Sequence, residues 1–509
     1  MAETVRDLLQ PHEAEAPAIL APERPTLGFG ALRELADATV ARLNALGIGR
    51  GDRVAIVLPN GPEMATAFVT VACGATTAPL NPAYRAEELD FYLSDLRAKA
   101  LVVAESETGP AVEAARQHGA RVLRLVTSPE RPAGWFELTA ESGDGAPVAT
   151  GAAQEEDEAL VLHTSGTTSR PKIVPLLQRN LAASARHIRT TLALTPADRC
   201  LNVMPLFHIH GLIAAVTSSL SAGASIYCTP GFNALRFFHW LDDAKPSWYT
   251  AVPTMHQAIL ARAERNPEIL ARARLRFIRS SSASLPAQVM LALEETFKAP
   301  VIESYGMTEA THQMASNPSP PASRKPGSVG VAAGPLVRVC DDAGLFQPAG
   351  AQGEVVISGP NVTPGYEANP DANLKSFFEA EGRRWFRTGD QGVMDAEGYL
   401  RITGRLKEII NRGGEKVSPL EVDDVLMDHP AIAQVVTFAM PHAKLGEEVA
   451  CAVVLREGMV VIEQEVRAFA AGRLADFKVP RKVLVLEEIP KGATGKLQRI
   501  GLAQKLGLG

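Results

Sequence analysis

The stretch Ala159-Leu160-Val161-Leu162-His163-Thr164-Ser165-Gly166-Thr167-Thr168-Ser169-Arg170-Pro171-Lys172 runs from an apolar segment straight into hydroxyls, a glycine and a lysine. Ala159–His163 reads as a strand, and Asn180–Leu192 behind the loop reads as a helix. Strand, polar loop and helix in this order make one unit of an α/β fold. The loop has its own chemistry. Its backbone N–H groups and hydroxyls donate, Gly166 lets the backbone approach a ligand, and Lys172 adds positive charge. Such a loop can wrap phosphate oxygens. It lacks the GxxxxGK[ST] spacing and is not a Walker A loop. It also carries more polar side chains than capping one helix requires.

The same alternation extends to both sides. Val54–Leu58 reads as a strand and Pro62–Cys73 as a helix with proline at its start. Ala100–Ala104 and Arg121–Val126 read as strands around a helix through Val112–His118. The fold class expected is therefore α/β, with helices packed on sheets in layers. After about Gly327 the texture changes. Val337–Cys340, Gly353–Ser358 and Tyr399–Thr403, with the turns Asp341–Gly344 and Asp395–Gly398, predict a small β subdomain over about 327–404. From Leu406 onward, Leu420–His429 and Glu463–Leu474 read as helices and Ala433–Ala439 and Ala450–Leu455 as strands. The expected division is a large N-terminal domain, 1–404, and a C-terminal α+β domain, 405–509.

Bulk properties narrow the classes. The chain of 509 residues exceeds one ordinary domain, and its 46% hydrophobic and 21% charged content fits a soluble globular protein. A net charge of −6 offers no basic field for nucleic acid or an acidic membrane. The most apolar region, Gly211–Cys228, is interrupted by serines, a threonine and glycines and is predicted as a buried helix and strand. MAETVRDLLQ at the start lacks the basic and apolar regions of a secretory signal, and the closing residues are not a peroxisomal tripeptide. Five cysteines, at 73, 200, 228, 340 and 451, show no paired spacing for a metal site or a disulfide framework. A cytoplasmic location is expected. The sequence carries no signal for an oligomeric state.

Four further motifs join the loop. In Ser304-Tyr305-Gly306-Met307-Thr308-Glu309, Tyr305 can stack on a purine, Thr308 can bond a phosphate and Glu309 can hold Mg²⁺. Thr388-Gly389-Asp390 places a carboxylate after a tight turn, suited to ribose hydroxyls. Gly404-Arg405 and Lys407 stand at the expected domain joint, and Thr494-Gly495-Lys496 puts a lysine on a glycine-bearing loop. Taken singly, Lys496 reads as a surface lysine, Asp390 as a turn residue and Tyr305 as core.

With these five motifs in this order, from about residue 25 to 502, the chain resembles the acyl-adenylate-forming superfamily of acyl-CoA synthetases, luciferases and adenylation domains. The resemblance implies an ATP-, Mg²⁺- and coenzyme A-dependent ligase acting on small molecules. It implies that Thr164, Ser165, Gly166, Thr167, Thr168 and Lys172 grip phosphates and that Glu303, Ser304 and Tyr305 line the adenine site. Thr308 would touch the α-phosphate, Glu309 the metal, and Asp390 and Arg405 the ribose. Lys496 would bridge the α-phosphate and the substrate carboxylate. A hinge near Lys407 would then bring the Arg412-Gly413-Gly414 loop to a pantetheine tunnel gated by His208.

The acid is a separate question. Pro205-Leu206-Phe207-His208-Ile209-His210-Gly211 carries two histidines at i, i+2, which would face one side of an extended segment. No third ligand has zinc spacing. His210, Ser282 and His312 together predict an acid pocket rich in donors, which disfavours an alkyl tail at about 1–3 kcal/mol per unpaired donor. It suits a short acid with a second carboxylate. The resemblance is nearest the oxalate–CoA ligase branch, carried by His163–Leu176, Pro205–Leu212, Trp248–Gln257, Arg276–Leu285, Met307–Pro318 and Asn411–Glu421. The alternatives are a CoA ligase for another short, medium-chain or aromatic acid, and a module that loads a carrier protein.

Overall fold

A computed structural model describes residues 3–141, 145–147, 149–164, 171–491 and 497–509. Two large sheets organise the chain. The seven-stranded sheet runs Glu137–Ala140, Arg121–Val126, Ala100–Ala104, Arg53–Val57, Thr76–Pro79, Glu158–Thr164, Lys172–Leu177. The nine-stranded sheet runs Val331–Ala332, His312–Ser316, Val301–Met307, Phe277–Ser280, Trp248–Ala251, Arg199–Asn202, Ser225–Cys228, Pro17–Leu20, Leu27–Gly28. Both are parallel in the middle and antiparallel at their edges. Parallel strands need covered faces, and Val54–Val57 and Ala100–Ala104 read as continuous apolar runs for that reason.

One core fills the space between the sheets. Val54 and Ile56 from one sheet share it with Cys200, Ile226, Trp248, Phe277 and Ile302 from the other. Their neighbours of opposite parity, Ala55 and Val57 on one side and Leu201, Tyr249 and Ile278 on the other, pack outward against separate helix layers. The helix Pro62–Ala72 buries every residue from Met64 to Ala72, Thr66 and Thr70 included, because it lies between the two sheets. All five cysteines are buried and reduced.

A five-stranded sheet of Leu336–Cys340, Gln352–Ser358, Phe377–Ala380, Arg383–Met394 and Leu400–Arg405 follows. The C-terminal sheet contains Ile410–Arg412, Glu415–Val417, Ile432–His442, Gly446–Leu455 and Lys482–Val485, with the helices Pro419–Met427 and Glu463–Ala471. The expected α/β architecture is present, and the expected elements lie within a few residues of their predicted bounds. Among the described residues no helix is long and apolar enough to cross a membrane.

One local expectation fails. The His208–His210 segment is not extended. His210 opens a π-helix, His210–Thr217, all of it buried. The Thr217 hydroxyl donates to the Leu212 carbonyl five residues back at 2.7 Å, which suits the wider turn. Gly211 permits the entry, because a Cβ there would stand 2.4 Å from the Pro205 carbonyl oxygen. His208 caps this entry, its Nδ1 accepting from the His210 N–H at 3.3 Å.

Candidate active site

The strands deliver side chains to a zone between the two large sheets and the five-stranded sheet. Thr164 and Lys172 are paired across the antiparallel edge of the seven-stranded sheet, so both ends of the hydroxyl-rich loop are pinned. Ser165, Gly166, Thr167, Thr168 and Lys496, with Ser169, Arg170, Thr494 and Gly495, lie outside the described residues.

Tyr305, Asp390 and Arg405 converge. The Asp390 carboxylate accepts from the Tyr305 hydroxyl and, at 2.8 Å, from Arg405 Nε. Adjacent strands set this geometry, since Asp390 and Arg405 are register partners. Asp390 is buried while the Arg405 side chain is half exposed. Burial and the neighbouring Asp390 push the Tyr305 hydroxyl well above its ordinary range, so it remains a donor. Gly389 takes a φ of +74° at the turn before the carboxylate.

Glu303 and Ser304 precede Tyr305 on the same strand. Glu303 accepts from the Leu285 N–H at 2.9 Å and is buried. Burial pushes its carboxyl up to about 8. The Ser304 hydroxyl reaches the Ser280 carbonyl at 3.3 Å. Thr308 and Glu309 form the 3-10 turn Thr308–Ala310 at the end of this strand. Burial raises the Glu309 carboxyl, and the Tyr366 hydroxyl donates to it at 2.8 Å. Lys172 Nζ lies 4.1 Å from the Tyr366 ring centroid. Burial lowers the lysine; Glu309 opposes this and Lys407 adds to it.

His210, Ser282 and His312 are brought together. His210 is fully buried, with Nδ1 3.0 Å from the Ser282 hydroxyl and Nε2 2.6 Å from the Thr250 hydroxyl. The His312 ring, also buried, is 5.0 Å from it centroid to centroid. Two of the three positions require left-handed backbone: Ser282 at φ +76° and His312 at φ +93°, the latter after Thr311 at φ +49°. Such residues cost about 1–3 kcal/mol each and persist where their surroundings over-determine them. Here Thr311 donates its hydroxyl to the Asn361 carbonyl at 2.7 Å and its carbonyl accepts from Ser184 at 2.5 Å. Gly306 makes room, because a Cβ would stand 2.0 Å from the His312 carbonyl oxygen.

Arg412, Gly413 and Gly414 form a tight hairpin in the C-terminal sheet, with φ of +57° and +99° at the glycines. Arg412 makes a two-bond pair with Glu448, and the Gly413 N–H donates to the Leu445 carbonyl at 2.9 Å. Lys407 is exposed between the five-stranded and C-terminal sheets. Two residues escaped the sequence reading. Thr250 looks like an ordinary strand residue, and Tyr366 sits in a loop rich in proline and glycine.

The Tyr305–Asp390–Arg405 group and the His210–Ser282–His312 cluster lie among the elements that bring the sequence motifs together. The chain matches the AMP-binding enzyme family over residues 9–367 and the AMP-binding enzyme C-terminal domain over 421–496, and it belongs to that family. It is 47% identical to an oxalate–CoA ligase of Arabidopsis thaliana over 482 residues, 93% of this chain and 92% of that one. It is 41% identical to an oxalate–CoA ligase of Saccharomyces cerevisiae over 477 residues, covering 89% and 87%. The crystal structure of ATP-bound MatB from Rhodopseudomonas palustris superposes with a TM-score of 0.88 at 30% identity, covering 100% of this chain and 98% of that one.

Proposed function

We propose that this AMP-forming acid–CoA ligase acts on oxalate. One oxalate oxygen attacks the α-phosphorus of ATP, the bond to the β-phosphate oxygen breaks, and pyrophosphate leaves. The coenzyme A sulfur then attacks the acyl carbon, its proton passes to water, and AMP leaves to give oxalyl-CoA. The observation that carries the choice of acid is the buried His210 ring, bonded to Ser282 and 5.0 Å from His312. A second carboxylate taken out of water needs hydrogen-bonding groups of this kind close by, and an alkyl chain has no use for them. The identity to two oxalate–CoA ligases supports the same reading.

In this reading Tyr305 stacks on adenine beside Glu303 and Ser304, Asp390 and Arg405 hold the ribose, and Thr308 touches the α-phosphate. Thr164 to Thr168 and Lys172 grip the outer phosphates. Lys496 neutralises charge as the acyl–phosphate bond forms. Glu309 is the carboxylate that would hold a Mg²⁺ ion, which commonly takes one or two carboxylates together with substrate oxygens. The ion would stabilise charge on the phosphates. Residues 405–509 would turn about a hinge near Lys407 and present Arg412, Gly413 and Gly414 to a pantetheine path gated by His208. A cytoplasmic location belongs to the same reading, since five scattered cysteines without paired spacing suit a reducing compartment.

The test is a screen of purified protein with ATP, Mg²⁺ and coenzyme A against oxalate, malonate, glyoxylate, octanoate and coumarate. Oxalyl-CoA should form saturably. Thioester from octanoate or coumarate with none from oxalate would overturn the proposal.

A further inference from the structure

We propose that Tyr366 is a positioning residue that holds Lys172 and Glu309 apart, so that one meets phosphate and the other the cation of ATP·Mg²⁺. The two charges belong to different sheets. Lys172 begins the edge strand Lys172–Leu177 of the seven-stranded sheet, and Glu309 lies in the turn beyond Val301–Met307 of the nine-stranded sheet. The Tyr366 ring touches both, its face 4.1 Å from Lys172 Nζ and its hydroxyl 2.8 Å from Glu309 Oε1. Tyr366 and Glu309 are each 7% exposed. Among the described residues no ion pair joins Lys172 to Glu309 directly.

The chain around Tyr366 is tied to both sheets. The Thr363 N–H donates to the Glu309 carbonyl at 2.8 Å, and the Thr363 hydroxyl to the Pro175 carbonyl at 2.7 Å. The Glu367 N–H donates to the Ile173 carbonyl at 3.1 Å, and the Glu367 carboxylate pairs with Arg53. Asn373 closes the loop, accepting from the Tyr366 N–H at 2.7 Å and donating to its carbonyl at 2.8 Å. The ring therefore has little freedom to leave the gap.

Each half of the ring does separate work. The aromatic face attracts an ammonium without neutralising it. The phenol donates a charge-assisted hydrogen bond that fixes one carboxylate oxygen. A half-buried ammonium and a buried carboxylate left without these two contacts would close on each other, and both would be lost to the nucleotide.

The inference rests on assigning Lys172 and Glu309 to ATP binding. Calorimetric titration with ATP at graded Mg²⁺ tests it on the full chain without turnover. Tyr366→Phe keeps the ring under Lys172 and should raise the Mg²⁺ needed for half-maximal binding about fivefold, corresponding to loss of one hydrogen bond. Tyr366→Leu removes both contacts and should weaken ATP itself about tenfold or more. In a Glu309→Gln background, Tyr366→Phe should change neither quantity by more than about twofold, since the charged partner is gone. Folded variants with wild-type ATP affinity and Mg²⁺ requirement, or equal defects in Phe and Leu, would overturn the role of Tyr366. Failure of the wild-type chain to bind ATP·Mg²⁺ would instead remove the site assignment beneath it.

Discussion

Thr250→Val is the sharpest test of the acid cluster. Thr250 and His210 are fully buried, and their 2.6 Å bond fixes the edge of the imidazole opposite Ser282. With both edges held, the ring has one tilt. Valine has nearly the same shape as threonine but no hydroxyl, so it removes the bond while keeping the volume. A buried polar group that loses its partner costs about 1–3 kcal/mol, which corresponds to about 5- to 150-fold in an equilibrium or rate ratio. That loss should fall on kcat/KM for the acid. The KM for ATP should move by less than about twofold, because Tyr305, Asp390 and Arg405 hold one another without Thr250. Thr250→Ser restores a hydroxyl and should recover most of the activity. Steady-state thioester formation with oxalate, measured with the other substrates saturating, gives the numbers. A folded Thr250→Val enzyme with wild-type kcat/KM for oxalate would show that the imidazole needs no such anchor, and the cluster reading would fail.

Other outcomes follow from the same geometry. Burial holds the Glu303 carboxyl near 8, well above an ordinary value of 4.5, so the folded state binds the extra proton between those pH values. Stability should therefore fall as pH rises through that window, by up to about 1.4 kcal/mol per unit, and Glu303→Gln should flatten that slope in chemical denaturation series. An unchanged slope would refute the assignment. Asp390→Asn leaves Tyr305 and the half-exposed Arg405 without their anion and should raise the KM for ATP about tenfold, the worth of one charge-assisted bond. An unaltered KM would exclude Asp390 from the nucleotide site. Lys496→Ala should abolish acyl-adenylate formation, read by pyrophosphate release, while retaining thioester formation from supplied acyl-adenylate. Equal loss of both would contradict its role.

Periodicity and punctuation made much of the fold legible. Short apolar runs such as Ala100–Ala104 read as strands buried on both faces, and proline at 62 marks the helix that fills the space between the sheets. The residues proposed for ATP could be picked out because they cluster in short segments. The π-helix was not, since a buried apolar run has no period that distinguishes its turn from an α-turn. Thr250 and Tyr366 were missed for a related reason. Their importance comes from partners 40 and 57 residues away in the chain, His210 and Glu309, and only the sheet order makes them neighbours.

The five buried cysteines have a practical side. Thiol chemistry runs through the thiolate, and burial pushes Cys73 up to about 12 and Cys340 up to about 11, with the other three also raised. A disulfide reagent added to the native protein should therefore stay colourless until coenzyme A is present. Added to portions withdrawn during turnover, the same reagent counts the cosubstrate still free, and a slow rise of protein thiols would report that the chain has begun to open.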